Sequence, residues 1–308
     1  MNLPYNKRTK LTIGLLVYNG EEIVKERIEQ ILAQTFQDFI LMISDNGSND
    51  KTQEICEKIS KIDKKIIYFR HEKNRGPYWN FNFLLEKAET KYFVWAAVDD
   101  IWSHSFLEKN IDVLENNENV VGSIGEMKMF NRIKDPLTNK IEIVVIENSK
   151  KFQYVHPING DIREKIKFYL NYNMGGIIYG VYRTDKIQKA NTFENYKNNR
   201  MWRWALACIL NVIKEGDLEV VSDAFIYKEV SVKSTSTIQY MKKIGFSSMD
   251  ILFINFPFTI WFIKNLGVKE FLRNCGYFTK LNITSEFGII SELLRMCKRI
   301  VCGQDRYW

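Results

Sequence analysis

Histidine is scarce, three in 308 residues, and the cysteines are odd in number: Cys56, Cys208, Cys275, Cys297 and Cys302, with no CxxC pair among them. Structural zinc sites draw their ligands from closely spaced Cys and His pairs, and disulfide scaffolds need paired cysteines, so both classes are excluded. The free thiols suit a reducing compartment. The amino-terminal MNLPYNKRTK is charged with no apolar stretch behind it, so no secretory leader is expected. Long hydrophobic runs are missing too. The most apolar window, ILFINFPFTIWFI at 251–263, has thirteen residues and is interrupted by Asn255 and Pro257. At about 1.5 Å per residue it spans roughly 20 Å as a helix, short of a hydrocarbon core of about 30 Å. No GxGxxG follows the first apolar segment, where LLVYNGEEI stands, which rules out an ordinary NAD-binding oxidoreductase. Internal repeats and low-complexity segments are absent.

What the chain does have is core-forming capacity and a basic end. Hydrophobic residues make up 45% and aromatics 14%, enough for one large domain and an appendage. The net charge is +7, and from Thr237 to Trp308 ten Lys or Arg stand against five acids, so this tail supplies +5 of it. An anionic partner is implied. Because the basic residues are dispersed among apolar stretches, a membrane surface fits at least as well as nucleic acid, and nucleic acid would explain none of the acidic features described next. The window at 251–263 then either packs on the preceding domain or lies in a membrane interface with Trp261 and the Phe cluster toward lipid.

The first half alternates apolar runs with amphipathic stretches: LTIGLLVY, EEIVKERIEQILAQ, FILMIS, DKTQEICEKISK, KIIYF, a helix near Tyr78 to Ala88, then KYFVWAAVDDIW at 91–102. This is a βαβ series, which predicts a parallel sheet with right-handed crossovers and one shared crevice at the strand ends. The segments at those ends are YNGEE (18–22), SDNGSND (44–50), HEKNRGPYWN (71–80) and VDDIW (98–102). Beyond residue 120 the spacing predicts a strand near Val120 to Phe130, a strand over Ile141 to Ile146 and a helix over Gly160 to Leu170. A glycine turn then enters a strand in NMGGIIYGVYR, followed by a helix from about Asn199 to Lys214, a strand from Leu218 to Tyr227 and a helical tail.

Asp99 and Asp100 admit two readings. They end a strand and cap a helix expected from Ser103 to Asn116, or they bind a ligand at the crevice. A hard divalent cation, Mg²⁺ or Mn²⁺, takes one or two protein carboxylates and completes its shell with substrate phosphates, so the second reading calls for a phosphate-bearing ligand. Asp45 is placed to accept from the imide N–H of uracil or thymine or from N1–H of guanine. Gly76 permits close backbone approach, and Asn74 and Asn80 supply neutral donors near a helix N-terminus.

In this order and spacing, YNG, SDNGSND and NRGPYWNFNFLLEKAETKYFVWAAVDDIW resemble glycosyltransferase family 2 over about residues 10 to 130 and more loosely to about 237. The resemblance implies a GT-A type fold: a Rossmann-like, mixed, mostly parallel sheet, seven-stranded or similar, flanked by helices. It further implies a nucleotide-diphospho-sugar donor, a divalent metal at a DxD-type motif, and inversion at the anomeric carbon. Domain limits follow: 1–237 for the transferase domain, with its nucleotide half at about 10–130 and its acceptor half at about 131–237, and 238–308 for a helical, basic and aromatic extension.

By the same resemblance, Val17, Tyr18 and Asn19 line the nucleobase, Asp45 with Asn46 reads it, and Asn74, Gly76 and Asn80 border the nucleotide. Asp99 is the metal-binding second Asp of DxD with Asp100 in support, and Gly175 and Gly176 border the acceptor pocket. Four departures accompany it: Leu16 and Val17 precede the first YN pair where the family commonly has Pro, the first Asp of DxD is Ala97, Arg203 stands where the family carries its general base, and Ser231 stands where a metal-assisting His is usual. No acid lies between Asn195 and Lys214, which leaves Glu194 as the nearest base, and Arg203 as a group for phosphate charge. The expected protein is a cytoplasmic, membrane-peripheral transferase using a nucleotide-sugar, a UDP-sugar foremost, to extend a surface glycan or lipid-linked acceptor. The alternative is a non-catalytic module of the same fold that binds nucleotide-sugar or glycan as a partner subunit.

Overall fold

The computed structural model describes residues 9–134, 141–146, 155–172, 175–194, 201, 203–229, 237–243 and 245–301. The chain forms two compact units, Met1–Asn191 with Cys208–Ser231, and Thr192–Ala207 with Val232–Trp308. Sequence alone left 192–207 with the first domain; its contacts place it with the carboxyl-terminal helices.

The first unit is built on a nine-stranded sheet of order β3-β2-β1-β4-β8-β6-β9-β5, with β7 paired to β6. Its strands are β1 (Leu11–Val17), β2 (Phe39–Asp45), β3 (Ile66–Arg70), β4 (Tyr92–Ala97), β5 (Ile101–Trp102), β6 (Val120–Lys134), β7 (Ile141–Ile146), β8 (Val181–Arg183) and β9 (Asp217–Glu229). The first four are mutually parallel, as the βαβ series predicts. β8 enters antiparallel between β4 and β6, and β6 and β9 run parallel, so the sheet is mixed. β1, β2 and β4 are buried on both faces because nearly every residue is apolar, and each fully buried large side chain contributes about 1.5–3 kcal/mol.

The flanking helices are α1 (Val24–Leu32), α2 (Thr52–Ile62), α3 (Pro77–Lys87), α4 (Phe106–Asn116), α5 (Ile162–Tyr172), α6 (Thr184–Ala190) and α7 (Trp204–Glu215), the last of which gives its first turn to the second unit. α1 buries Val24, Arg27, Ile28 and Ile31, an i, i+3, i+4, i+7 stripe whose second member is an arginine. α4 starts three residues later than the sequence indicates. Ile101 and Trp102 form the short strand β5 against Ile226 and Tyr227 of β9, and Ser105 takes the N-cap position.

The second unit is helical: α8 (Thr237–Lys243), α9 (Ser248–Leu252), α10 (Phe256–Leu266), α11 (Val268–Arg273) and α12 (Cys275–Val301). Ser247 and Asp250 close a capping box at the start of α9. The apolar window at 251–263 is two-sided, with Phe253, Phe256 and Ile260 exposed and the rest of its aromatics inside. Phe258, Trp261 and Phe262 are buried, Phe258 stacks on Trp261 at 5.9 Å, and Phe262 meets Phe278 edge-on at 4.7 Å. Trp261 is therefore interior rather than lipid-facing. Among the described residues, no helix is long and apolar enough to cross a membrane.

Candidate active site

Strand register puts the candidate segments at one edge: Val17 pairs with Asp45, Asp45 with Arg70, and Leu16 with Ala97. The loops that leave β1, β2, β3 and β4 therefore emerge side by side. Tyr18 is exposed there, and Asn19 adopts a left-handed φ of 51°. Asn19 donates its backbone N–H to Ser48 Oγ at 2.9 Å, and its Oδ1 accepts from the Asn49 N–H at 2.9 Å.

Asp45 differs from expectation. It is 0% exposed. Its Oδ1 accepts from the backbone N–H (2.9 Å) and hydroxyl (2.6 Å) of Ser48, and its Oδ2 accepts from the Tyr68 hydroxyl at 2.8 Å, with Arg70 Nε 3.6 Å away. The carboxylate organises the floor of the edge. These bonds fill three of the roughly four lone-pair sites of the carboxylate. Burial, then the bond to Asp45, pushes the Tyr68 phenol far above its ordinary pKa, so that hydroxyl stays a donor.

Asn46, Asn74 and Gly76 form a clasp. Asn46 Nδ2 donates to Asn74 Oδ1 and to the Gly76 carbonyl, both at 3.0 Å, while its Oδ1 accepts from the Arg75 N–H at 3.0 Å. Gly76 holds φ 86° as the residue before α3, whose first position is Pro77. Gly47, with φ 79°, lies so close to the opposite loop that a Cβ would stand 2.6 Å from the Lys73 carbonyl carbon. Asn80 is buried beneath the clasp; its Nδ2 donates to the Ser44 carbonyl at 2.9 Å and its Oδ1 accepts from the Ser44 hydroxyl. That hydroxyl has one proton, so its 2.8 Å contact with His71 requires the imidazole Nε2–H to donate. Burial, with Arg75 next, lowers the His71 pKa.

The acidic loop leaves β4 through a turn. Asp99 is exposed, whereas Asp100 is 2% exposed and Lys228 of β9 meets its Oδ2 at 2.5 Å. The Lys228 ammonium also lies 3.8 Å from the ring centroid of Tyr179, at the end of the 3₁₀ turn Gly175–Tyr179 that carries the glycine pair. Burial opposes its charge, yet Tyr179 and Asp100 outweigh that, and its pKa is raised. Neither acid caps α4, which disposes of the capping reading. Behind the loop, Arg27 of α1 is 2% exposed, lies 4.5 Å over the Trp102 ring, and among the described residues has no hydrogen-bond partner on any of its three nitrogens. A buried, unbonded guanidinium costs several kcal/mol. Burial brings its pKa down to about 10, with Asp100 and then Asp99 opposing.

As a cation site, the loop offers one uncommitted carboxylate. Ala97 has none, Asp100 is committed to Lys228, and no group of three or more His, Cys, Asp or Glu stands together among the described residues. Asp99 alone still fits a Mg²⁺ or Mn²⁺ whose remaining ligands are phosphate oxygens and water. Glu194 and Arg203 belong to the second unit. Glu194 is exposed, and Arg203 Nε donates to Asn255 Oδ1 at 2.6 Å. Ser231 lies outside the described residues. Lys228, Arg27, Gly47 and His71 escaped the sequence reading. For Arg27 the signal was present, a charged residue on the apolar stripe of α1.

Residues 12–178 match the model of the glycosyl transferase family 2. An uncharacterized glycosyltransferase of Haemophilus influenzae is 31% identical over 161 residues, which is 52% of this chain and 60% of that one. A teichoic acid poly(glycerol phosphate) polymerase of Staphylococcus epidermidis is 32% identical over 116 residues, 37% of this chain and 16% of its own. The chain thus spans less than two thirds of the length of these curated relatives. Among solved structures, the mannosyltransferase PcManGT of Pyrobaculum calidifontis, in complex with GDP-Man and Mn²⁺, gives a TM-score of 0.58 at 9% identity, over 96% of this chain and 76% of that one. TarS of S. aureus gives 0.51 at 18% identity, over 79% and 40%. These likenesses bear on the fold, and they agree with a mixed, mostly parallel sheet flanked by helices. The family model covers more than half of the sequence, including every strand end that forms the edge from Tyr18 to Asp100, and the chain belongs to glycosyl transferase family 2.

Proposed function

We propose that this chain transfers a sugar from a nucleotide-diphospho-sugar, a UDP-sugar foremost, to a hydroxyl of a glycan or lipid-linked acceptor, with inversion, in the synthesis of a surface polysaccharide or related glycan. The observation that carries the reading is Asp99: an exposed carboxylate on the turn leaving β4, a buried strand parallel to β1, level with three other polar strand ends. The GDP-Man and Mn²⁺ in PcManGT support a nucleotide-sugar and a divalent cation. The teichoic acid polymerase supports a glycan-building role.

In this reading the acceptor oxygen attacks the anomeric carbon, the bond from that carbon to the diphosphate oxygen breaks with its electron pair on the leaving oxygen, and the hydroxyl proton passes to a base. Glu194 is the candidate base, and such a group is worth about 10² to 10⁴ in rate. Asp99 would hold a divalent cation, Mg²⁺ or Mn²⁺, which would supply charge neutralisation for the departing diphosphate. Asp100 supports the site from within through Lys228, and Asp45 holds the floor on which the base is read by the 17–19 and 45–46 segments. Asn74, Gly76 and Asn80 shape the nucleotide side, and Gly175 and Gly176 the acceptor side. Arg203 is assigned phosphate charge on the donor or on a lipid-linked acceptor; unaltered lipid-phosphate binding in Arg203→Ala would sink that assignment. Exposed Met249, Phe253, Phe256 and Ile260 beside Lys264 support contact of the tail with an anionic membrane surface.

The test is purified protein titrated with UDP-, GDP- and dTDP-sugars, with and without Mn²⁺, following binding and nucleoside diphosphate release. Asp99→Asn is expected to abolish metal-dependent release and to leave the fold intact; full activity in that variant would remove the central assignment. A second reading, a non-catalytic nucleotide-sugar or glycan-binding subunit, is favoured by Arg203 and Ser231, which stand where the family carries its base and a metal-assisting His. Binding of a donor without release, candidate acceptors present, would establish it.

A further inference from the structure

A half-buried cation, Lys228, and a buried one, Arg27, lie on either side of the loop that carries the buried Asp100. Lys228 holds Asp100 at 2.5 Å, and Arg27 lies behind the same loop with all three nitrogens unbonded. The other acids around Arg27 are committed elsewhere: Glu26 and Glu229 both bind Arg132, at 3.2 and 3.1 Å. Asp99 points to solvent, so Asp100 is the buried carboxylate that remains to satisfy the guanidinium. The two cations also differ in reach. Lys228 keeps 22% of its side chain exposed at the site, on a flexible stem, whereas Arg27 is sealed under Trp102 and presents a rigid fork suited to a carboxylate.

We propose that Asp100 exchanges partners: Lys228 holds it in the free protein, and when a diphosphate reaches the strand ends the Lys228 ammonium moves onto that anion while Asp100 turns to Arg27. Lys228 is then a diphosphate ligand, and Arg27 a positioning residue that makes its release possible. The exchange supplies a resident positive charge from β9 beside a loop that lacks the carboxylate at position 97. The inference rests on the reading above that a nucleoside diphosphate binds here.

The experiment is calorimetric titration of the full chain with UDP, GDP and inorganic pyrophosphate in Mn²⁺, on wild type, Lys228→Ala, Arg27→Met and the double variant. Lys228→Ala and Arg27→Met are each expected to weaken binding about tenfold, for pyrophosphate as for nucleotide. The double variant is expected to bind no more weakly than Lys228→Ala, because Arg27 acts only through the lysine it releases. Equal losses from Arg27→Met in both backgrounds would make Arg27 merely structural and overturn the exchange, as would wild-type affinity in Lys228→Ala. Should Arg27→Met not fold, Arg27→Lys, which keeps the charge and loses the fork, carries the same cycle. Wild-type protein that binds no nucleotide overturns the functional reading itself, whereas wild-type binding with an indifferent Lys228 overturns the exchange alone.

Discussion

Asn46 and Asn74, 28 positions apart, are joined side chain to side chain at 3.0 Å, and that bond holds the loop after β2 against the loop before α3. Both loops border the proposed nucleotide site, so the contact couples local order to ligand affinity. Replacing Asn46 with Ala also leaves the Arg75 N–H without its acceptor. The expected cost is about 1–3 kcal/mol of stability, with donor affinity lowered about tenfold or more. Thermal melts and donor titrations on Asn46→Ala check both; a melt shifted with no change in affinity would separate the clasp from the site.

Gly47→Ala tests the close approach of these loops. A methyl group there meets backbone, the Lys73 carbonyl carbon at 2.6 Å and Asn74 N at 2.7 Å, in a left-handed conformation that side chains avoid. A loss of at least about 1–3 kcal/mol is expected. Gly76→Ala meets no atom within 4 Å and bears only the conformational cost, so it is expected to be the milder change. Chemical denaturation of the two variants orders them.

Stability is expected to fall on acidification through His71. Its native pKa lies below the ordinary 6.5, so between the two values the unfolded chain binds a proton that the folded chain refuses. The contribution is full above about pH 6.5 and is lost as pH falls through the lowered value. Melting temperatures from pH 7.5 to 5 for wild type and His71→Gln check this, the variant being expected to show a shallower decline. An identical slope would remove His71 from the account.

The tail predicts a surface property rather than an insertion. Phe253 and Phe256 are 47% and 56% exposed, while Trp261, 4% exposed, is interior. Phe253→Ser with Phe256→Ser is expected to reduce co-sedimentation with anionic vesicles without lowering the melting temperature, because neither ring is part of the core. Trp261→Ala is expected to cost about 3–5 kcal/mol instead. Undiminished vesicle binding in the double serine variant would end the membrane assignment of this face.

Legibility in the sequence follows the physics of each element. β1, β2 and β4 could be read because strands buried on both faces must be apolar throughout, and their parallel order followed from the helices between them. β5 could not, since two residues carry no period, and Trp102 after two acids looks like the start of a helix. The second half of the sheet was legible only in outline, because β8 enters between β4 and β6 from far along the chain and nothing local marks that pairing. The acids and glycines of the strand ends were visible as residue types, but their commitments were not. Asp45 faces a floor of Ser48 and Tyr68, and Asp100 is held by a lysine 128 positions away. Charge partners of that separation are set by topology, which a single sequence does not print.

The helical unit is assembled from two stretches, 192–207 and 232–308, with the last strand of the sheet between them. The two bodies are therefore interleaved along the chain and are not beads on a string. Cutting before residue 232 would not excise the appendage cleanly: it would strand Met201 and Trp204, now 0% and 3% exposed, as an unburied apolar flap still attached to the sheet-bearing unit. A fragment truncated there is expected to aggregate, and any exchange of the helical unit between relatives has to carry both stretches together.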